Sequence, residues 1–141
     1  MTSRPAAMTN LYLADTHALL WHLFQPTRLS QTAKNAFAEV DANEAILQVP
    51  LIVIAEALMI IEKKRVKVTK TQFEKVLQQM AASSNYQIGE LNLDIILAAA
   101  QLTQLNDIFD RLIVAETQAI NAKLISRDEE ITTANLIPII W

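Results

Sequence analysis

The sequence contains no cysteine, which excludes disulfides and any metal centre built on thiolates. It contains one glycine, Gly89. Phosphate-cradling loops of the Walker and dinucleotide-binding kinds need several, so nucleotide binding of those kinds is excluded too. Two histidines, His17 and His22, are too few to favour zinc ligation, and both fit packing or surface positions better. The longest nearly apolar run, residues 49–61, falls short of the roughly 20 residues a helical membrane span needs, and Glu56 sits near its middle. No Ser-His-Asp pattern and no repeat occurs. The first ten residues are polar, with Pro5, and lack the apolar stretch of an export signal. They read as a flexible tail over 1–10.

What is present is apolar. Such residues make up 52% of the chain and charged ones 19%, richer in burial surface than an average globular protein. The 141 residues suit one domain, over 11–141, with one real core. This composition implies a sheet buried on both faces, or a surface that docks on a partner. The net charge of −3 leaves nucleic acid open as a ligand, because clustered basic residues and a bound cation can offset the acids. A cytoplasmic protein without a membrane association is the default expectation.

Periodicity and capping residues order the chain. A strand over 11–14 ends at Asp15, and a helix over 16–24 closes at Gln25-Pro26. Ser30 caps a helix through about 40, a strand follows over 45–49, and Pro50 opens a helix to about 64. Thr69 caps a helix that buries Phe73, Val76, Leu77 and Met80. A strand over 86–91, a helix over 93–105 capped by Asn92, a helix from Asp110 to about 121 and a strand over 123–126 come next. A short helix over 128–134 and a strand over 137–140 complete the order. Strands alternating with helices predict an α/β fold, a three-layer α/β/α sandwich with a central parallel sheet. In such sheets the functional crevice lies beyond the carboxyl ends of the strands.

Acids fall at that edge. Asp15 ends the first strand, and Asp128 lies two residues past the strand 123–126; either is also an ordinary helix cap. Glu56 is surrounded, one helical turn away, by Ile52, Val53, Met59 and Ile60. A carboxylate off any solvated stripe needs compensation, by a bound cation or by a salt bridge. Asp110 opens its helix, with Asp107 as a competing cap. Four carboxylates gathered together repel one another, and hard Mg²⁺ or Mn²⁺ suits an all-oxygen site. A water bound to such an ion is a usable nucleophile near neutral pH, and the ion can neutralise a phosphodiester oxygen.

The run Leu13-Ala14-Asp15-Thr16-His17-Ala18-Leu19-Leu20-Trp21, then Glu56 in an apolar helix, Phe109-Asp110-Arg111-Leu112-Ile113, and Ser126-Arg127-Asp128-Glu129 resembles the PIN-domain family, and within it the VapC-like toxin branch. The resemblance implies the parallel-sheet fold, Mg²⁺- or Mn²⁺-dependent cleavage of RNA, pairing into homodimers, and inhibition by a cognate antitoxin protein. By position it makes Asp15, Glu56, Asp110 and Asp128 the catalytic acids and metal ligands, with Thr16 and Ser126 as supporting hydroxyls. Relatives often have Ser or Thr where Val53 stands and Pro where Ile108 stands, which leaves the carboxylates intact.

The segment Lys63-Lys64-Arg65-Val66-Lys67 is the RNA-contact candidate, with Lys70 close behind and Arg127 near the acids; a solvated helix end is the plainer reading of the same charges. Trp21 and Trp141 read as core or interface residues, not as base-stacking platforms, because each lies in an apolar run. Two other functions compete. A phosphatase using Asp-x-Asp after the first strand would need an acid where His17 stands. A catalytically silent interaction module has no reason to keep all four acids.

Overall fold

The computed structural model describes residues 10–141. The tail expected over 1–10 lies outside the described residues, save for Asn10, which begins the first strand. Five parallel strands, β1 (Asn10–Ala14), β2 (Ala45–Val49), β3 (Tyr86–Ile88), β4 (Lys123–Ile125) and β5 (Ile139–Ile140), form one sheet in the order β3-β2-β1-β4-β5. Seven α-helices flank it among the described residues: α1 (Thr16–Phe24), α2 (Gln31–Asp41), α3 (Leu51–Glu62), α4 (Lys70–Ala81), α5 (Leu93–Ala100), α6 (Ile108–Ala119) and α7 (Glu129–Ala134). This is the three-layer α/β fold that the alternation of strands and helices predicts. No helix among the described residues is long and apolar enough to cross a membrane.

The central strands are apolar on both faces because helices cover both. Leu13, Leu47, Leu124 and Ile125 are fully buried and meet Phe37, Val40 and Ile113 from the helices, each such side chain adding about 1.5–3 kcal/mol of burial. A second, smaller core joins α1, α3 and α4 through Leu20, Ala57, Ile60, Ile61 and Phe73.

Caps fix where the helices begin. Ser30 accepts from the Ala33 amide and Asn92 from that of Ile95. Thr69 and Gln72 form a reciprocal capping box, the Thr69 hydroxyl accepting from the Gln72 amide at 3.1 Å and the Gln72 side chain accepting from the Thr69 amide at 2.8 Å. Replacing Thr69 with Ala should therefore lower stability by about 1 kcal/mol, read as a shift in the urea midpoint at unchanged slope.

Several boundaries differ from the sequence expectation. The sixth helix starts at Ile108, not at Asp110, because Asp107 is its cap and accepts from the Phe109 amide at 2.7 Å. The helix expected over 93–105 stops at Ala100, and the strands near 86–91 and 137–140 shorten to three and two residues. A 3₁₀ turn, Pro26–Arg28, follows α1.

The order of strands places the site. From β1 the chain builds outward through β2 and β3, then returns to add β4 and β5 on the other side. The reversal lies at β1 and β4, beyond whose carboxyl ends α1 and α7 begin, the position at which open parallel sheets take ligands.

Candidate active site

Asp15 follows β1 directly, and its amide donates to the Ile125 carbonyl of β4 at 3.1 Å, tying the two strand ends together. One carboxylate oxygen caps α1 by accepting from the Ala18 amide at 2.9 Å, and the other accepts from the Ser126 hydroxyl. Ser126, fully buried, also accepts from the Asp128 amide at 3.0 Å. Asp128 in turn caps α7 through the Ile131 amide at 2.9 Å. The capping role and a role in the crevice are thus compatible for both acids, since a carboxylate has lone pairs for each.

Glu56 reaches the same edge from the middle of α3. The Thr16 hydroxyl donates to it at 2.8 Å. No salt bridge holds it: the one ion pair among the described residues joins Lys70 and Glu62 at the surface. The sequence expectation placed Glu56 among buried apolar neighbours, and this holds in part. Val53 and Ile60 are buried, whereas Met59 is 39% exposed on a helix face shared with Leu51 and Leu58.

Asp110 comes from the first turn of α6. Among the described residues no hydrogen bond or ion pair from the protein reaches its carboxylate. Burial pushes it up to about 7, and Asp128, Asp107, Glu56 and Asp15 each push in the same direction. Glu56 is raised by burial and by Asp107 and Asp15, against the hydrogen bond from Thr16 and the nearby His17. Asp15 is raised by burial and, less, by Asp128, against the bonds from Ser126 and Ala18. Acids from four distant segments therefore share one field. Asp107, which entered the sequence reading only as a cap, is a fifth member of it.

The acids face each other as neighbours and not as a closed cage. Among the described residues no three acidic or histidine side chains stand where one ion could take all of them. The donor set is nonetheless of one kind, carboxylate oxygen, and no Lys or Arg pairs with any member. That chemistry fits a hard divalent cation held by few direct carboxylates, with water completing its shell.

The basic residues are arranged otherwise. Lys64, Lys67 and Lys70 line a groove of about 650 Å³ between the end of α3 and the start of α4, and none of the acids belongs to its lining. Arg127 does stand with the acids: Asp15, His17, Trp21, Arg127 and Asp128 line a common cleft of about 350 Å³. Arg111 is structural, its Nε donating to the Leu105 carbonyl at 2.6 Å. His22 stacks on Phe37 with ring centroids 4.0 Å apart, a packing role as expected.

One buried acid was missed by sequence reasoning. Glu116 on α6 is only 3% exposed, and Gln48 of β2 donates to it at 2.8 Å while accepting from Gln87 of β3. Its helical neighbours Leu112, Ile113, Ala119 and Ile120 satisfy the criterion that singled out Glu56. Burial raises it, opposed by the bond from Gln48, and no other carboxylate acts on it. Glu116 therefore lies outside the acidic crevice.

Comparison with known proteins adds the family. The model of the PIN domain matches residues 12–135. No curated protein sequence matches the chain. Solved structures share its fold at low identity. VapBC2 from Rickettsia felis, solved with a DNA fragment from its promoter, is 17% identical with a TM-score of 0.66, over 92% of this chain and 96% of that one. VapBC-1 from nontypeable Haemophilus influenzae is 15% identical with a TM-score of 0.62, over 92% and 96%. FitAcB from Neisseria gonorrhoeae is 12% identical with a TM-score of 0.57, over 91% and 95%.

Proposed function

The chain belongs to the PIN-domain family, and from that premise we propose that it is a metal-dependent endoribonuclease, the toxin of a toxin–antitoxin pair. Proteins of this family are nucleases. The observation that carries the reading is the convergence of Asp15, Glu56, Asp110 and Asp128 at the β1/β4 switch point, mutually repelling and, among the described residues, in no ion pair with a Lys or Arg.

These four acids would hold Mg²⁺ or Mn²⁺, few of them directly and the others through its water shell. When bound, such an ion supplies charge neutralisation at the phosphodiester and lowers the pKa of water. The protein's own groups set the geometry. Ser126 and the Ala18 amide fix both oxygens of Asp15, and Thr16 fixes Glu56, so neither carboxylate must reorganise when a ligand arrives. Asp110 is free of such bonds and is pushed up to about 7 by burial and its acidic neighbours, so a cation bound beside it would favour its ionised form. Arg127, exposed at the rim, and the Lys63, Lys64, Arg65 and Lys67 segment beyond α3 offer positive charge to the RNA backbone.

Partners follow from the surface and the solved neighbours. Leu93 is 67% exposed, Leu97 56%, Ile96 45% and Ile108 48%, an apolar face on α5 and the start of α6 that suits a second copy of the chain. Structures named VapBC and FitAcB share the fold, which supports a cognate antitoxin as partner. A cytoplasmic location accords with RNA as substrate.

The test is cleavage of single-stranded RNA by the purified chain with Mg²⁺ or Mn²⁺, with a chelator, and with Asp15→Asn. Cleavage should require the cation and fall by on the order of a hundredfold or more in the variant. Asn preserves the cap on α1, so folding should be unchanged by circular dichroism. Cleavage that survives the chelator removes the metal-dependent reading, and an inert, folded protein that binds no cation makes it a silent module.

A further inference from the structure

Trp21 and Trp141 pack against the core, as their apolar sequence neighbours imply, yet part of each ring remains open to the surface. Their rings stand 5.8 Å apart, tilted by 53°. Trp21 lies four residues after His17 on one face of α1, with those rings also 5.8 Å apart. The guanidinium groups of Arg28 and Arg127 stand 5.8 and 5.9 Å from the centre of the Trp21 ring, at the limit of cation–π attraction. Neither arginine is in an ion pair among the described residues, although Arg127 shares its two clefts with Asp15, Asp128 and Glu129.

Two clefts meet at this cluster. Trp21 and Arg127 line the cleft of about 350 Å³ that contains Asp15 and Asp128. Arg127 and Trp141 line its neighbour, of about 670 Å³, on the side of Ser126 and Thr132. A purely structural tryptophan pair would explain the packing against the core. It would not explain why two unpaired guanidinium groups gather on an indole that opens beside the acids. Aromatic faces and unpaired arginines are what single-stranded nucleic acid uses: bases stack on the ring whatever their identity, and the planar guanidinium takes phosphate oxygens.

We infer that Trp21, Trp141 and Arg127 form a nucleotide subsite next to the carboxylates, where one base of single-stranded RNA stacks on the indole pair and Arg127 takes an adjoining phosphate. The inference rests on the nuclease reading for its choice of ligand. It places the base contact on the side of α1 and β5, apart from the lysine groove beyond α3, which is left to the backbone further along the strand. It also sets a preference for unpaired strands, because a base in a duplex cannot reach a ring inside a cleft.

The experiment uses the fact that the chain has two tryptophans, both in this subsite, so tryptophan emission, excited selectively over the two tyrosines, reports on the subsite alone. The full chain is titrated with a short oligoadenylate in a chelator, so that no cleavage occurs. Emission should be quenched, and Trp21→Ala should weaken binding roughly tenfold, followed by fluorescence anisotropy of a labelled oligomer. Trp21→Phe should retain most of the affinity. Arg127→Gln should weaken binding and remove about one phosphate contact from the salt dependence. Should Trp21→Ala fail to fold, the Arg127→Gln and Trp21→Phe variants decide. The same preparations are assayed for cleavage with Mn²⁺. Cleavage by a protein whose emission ignores oligoadenylate, or whose Trp21 and Arg127 variants bind as tightly as the parent, overturns the subsite and leaves the nuclease reading standing. Quenching without cleavage in any cation does the reverse. Neither signal overturns both.

Discussion

Replacing Asp110 with Asn should make the metal-free protein more stable above neutral pH while lowering RNA cleavage by on the order of a hundredfold or more. The Asp110 carboxyl is pushed up to about 7 by burial and then by Asp128, Asp107, Glu56 and Asp15. An unfolded Asp titrates near 3.9. Between those two values the folded chain binds the proton more tightly than the unfolded one. The stabilising contribution is therefore fully present below about pH 4 and lost as pH rises through about 7. Metal-free protein should melt lower at about pH 8 than at about pH 5. The carboxylate has one favourable interaction to set against this, with the amino end of α6, worth about 0.3–1 kcal/mol. Four neighbouring acids outweigh it. Because the side chain is partly exposed, the gain from Asn is about 1 kcal/mol after screening. Added Mg²⁺ should raise the melting temperature of the parent more at pH 8 than at pH 5, and should do so far less in the variant. A parent melting curve indifferent to pH, or an Asn variant less stable than the parent at pH 8, would falsify the electrostatic account of the crevice.

How much of this was legible beforehand depends on what each residue's signal is made of. α1 and β2 were readable to the residue, because Asp15, Gln25-Pro26 and Pro50 act through local backbone chemistry. The caps Ser30, Thr69 and Asn92 were readable for the same reason. The start of α6 was not, since Asp107 and Asp110 are equally good local signals and it is Asp107 that takes the cap. The convergence of Asp15, Glu56, Asp110 and Asp128 was legible as an order of motifs, yet their proximity is made by strand order, which no single segment encodes. Apolar residues were the least legible. Met59 and Trp21 carry the same hydrophobic signal as Ile60 and Leu20, and only the fold decides which of them is covered. Glu116 could have been found by the criterion applied to Glu56; its separate partner, Gln48, could not.

The sole glycine is expected to be the position least tolerant of a small substitution, and Gly89→Ala should lower stability by about 2 kcal/mol or more. Backbone conformation is not the reason, since no glycine here has positive φ. Space is. A methyl group at residue 89 would stand 2.1 Å from one carboxylate oxygen of Glu116 and 3.0 Å from the Gln48 side-chain nitrogen. The backbone cannot withdraw easily, because the Gly89 amide donates to the Val49 carbonyl at 2.8 Å and continues the pairing of β3 with β2. The carboxylate must then move, and it is buried and held by Gln48, which is itself held by Gln87. Moving it strands a carboxyl and an amide in the interior, where each unmade hydrogen bond costs about 1–3 kcal/mol. A double-mutant cycle separates this mechanism from a general loss of packing. Glu116→Ala alone should destabilise by leaving Gln48 without its acceptor. With the obstacle gone, Gly89→Ala should then add little, giving a coupling of about 1–3 kcal/mol in urea unfolding. Additive effects would mean that the methyl meets something other than Glu116, and a Gly89→Ala protein as stable as the parent would mean that the carboxylate has another place to go.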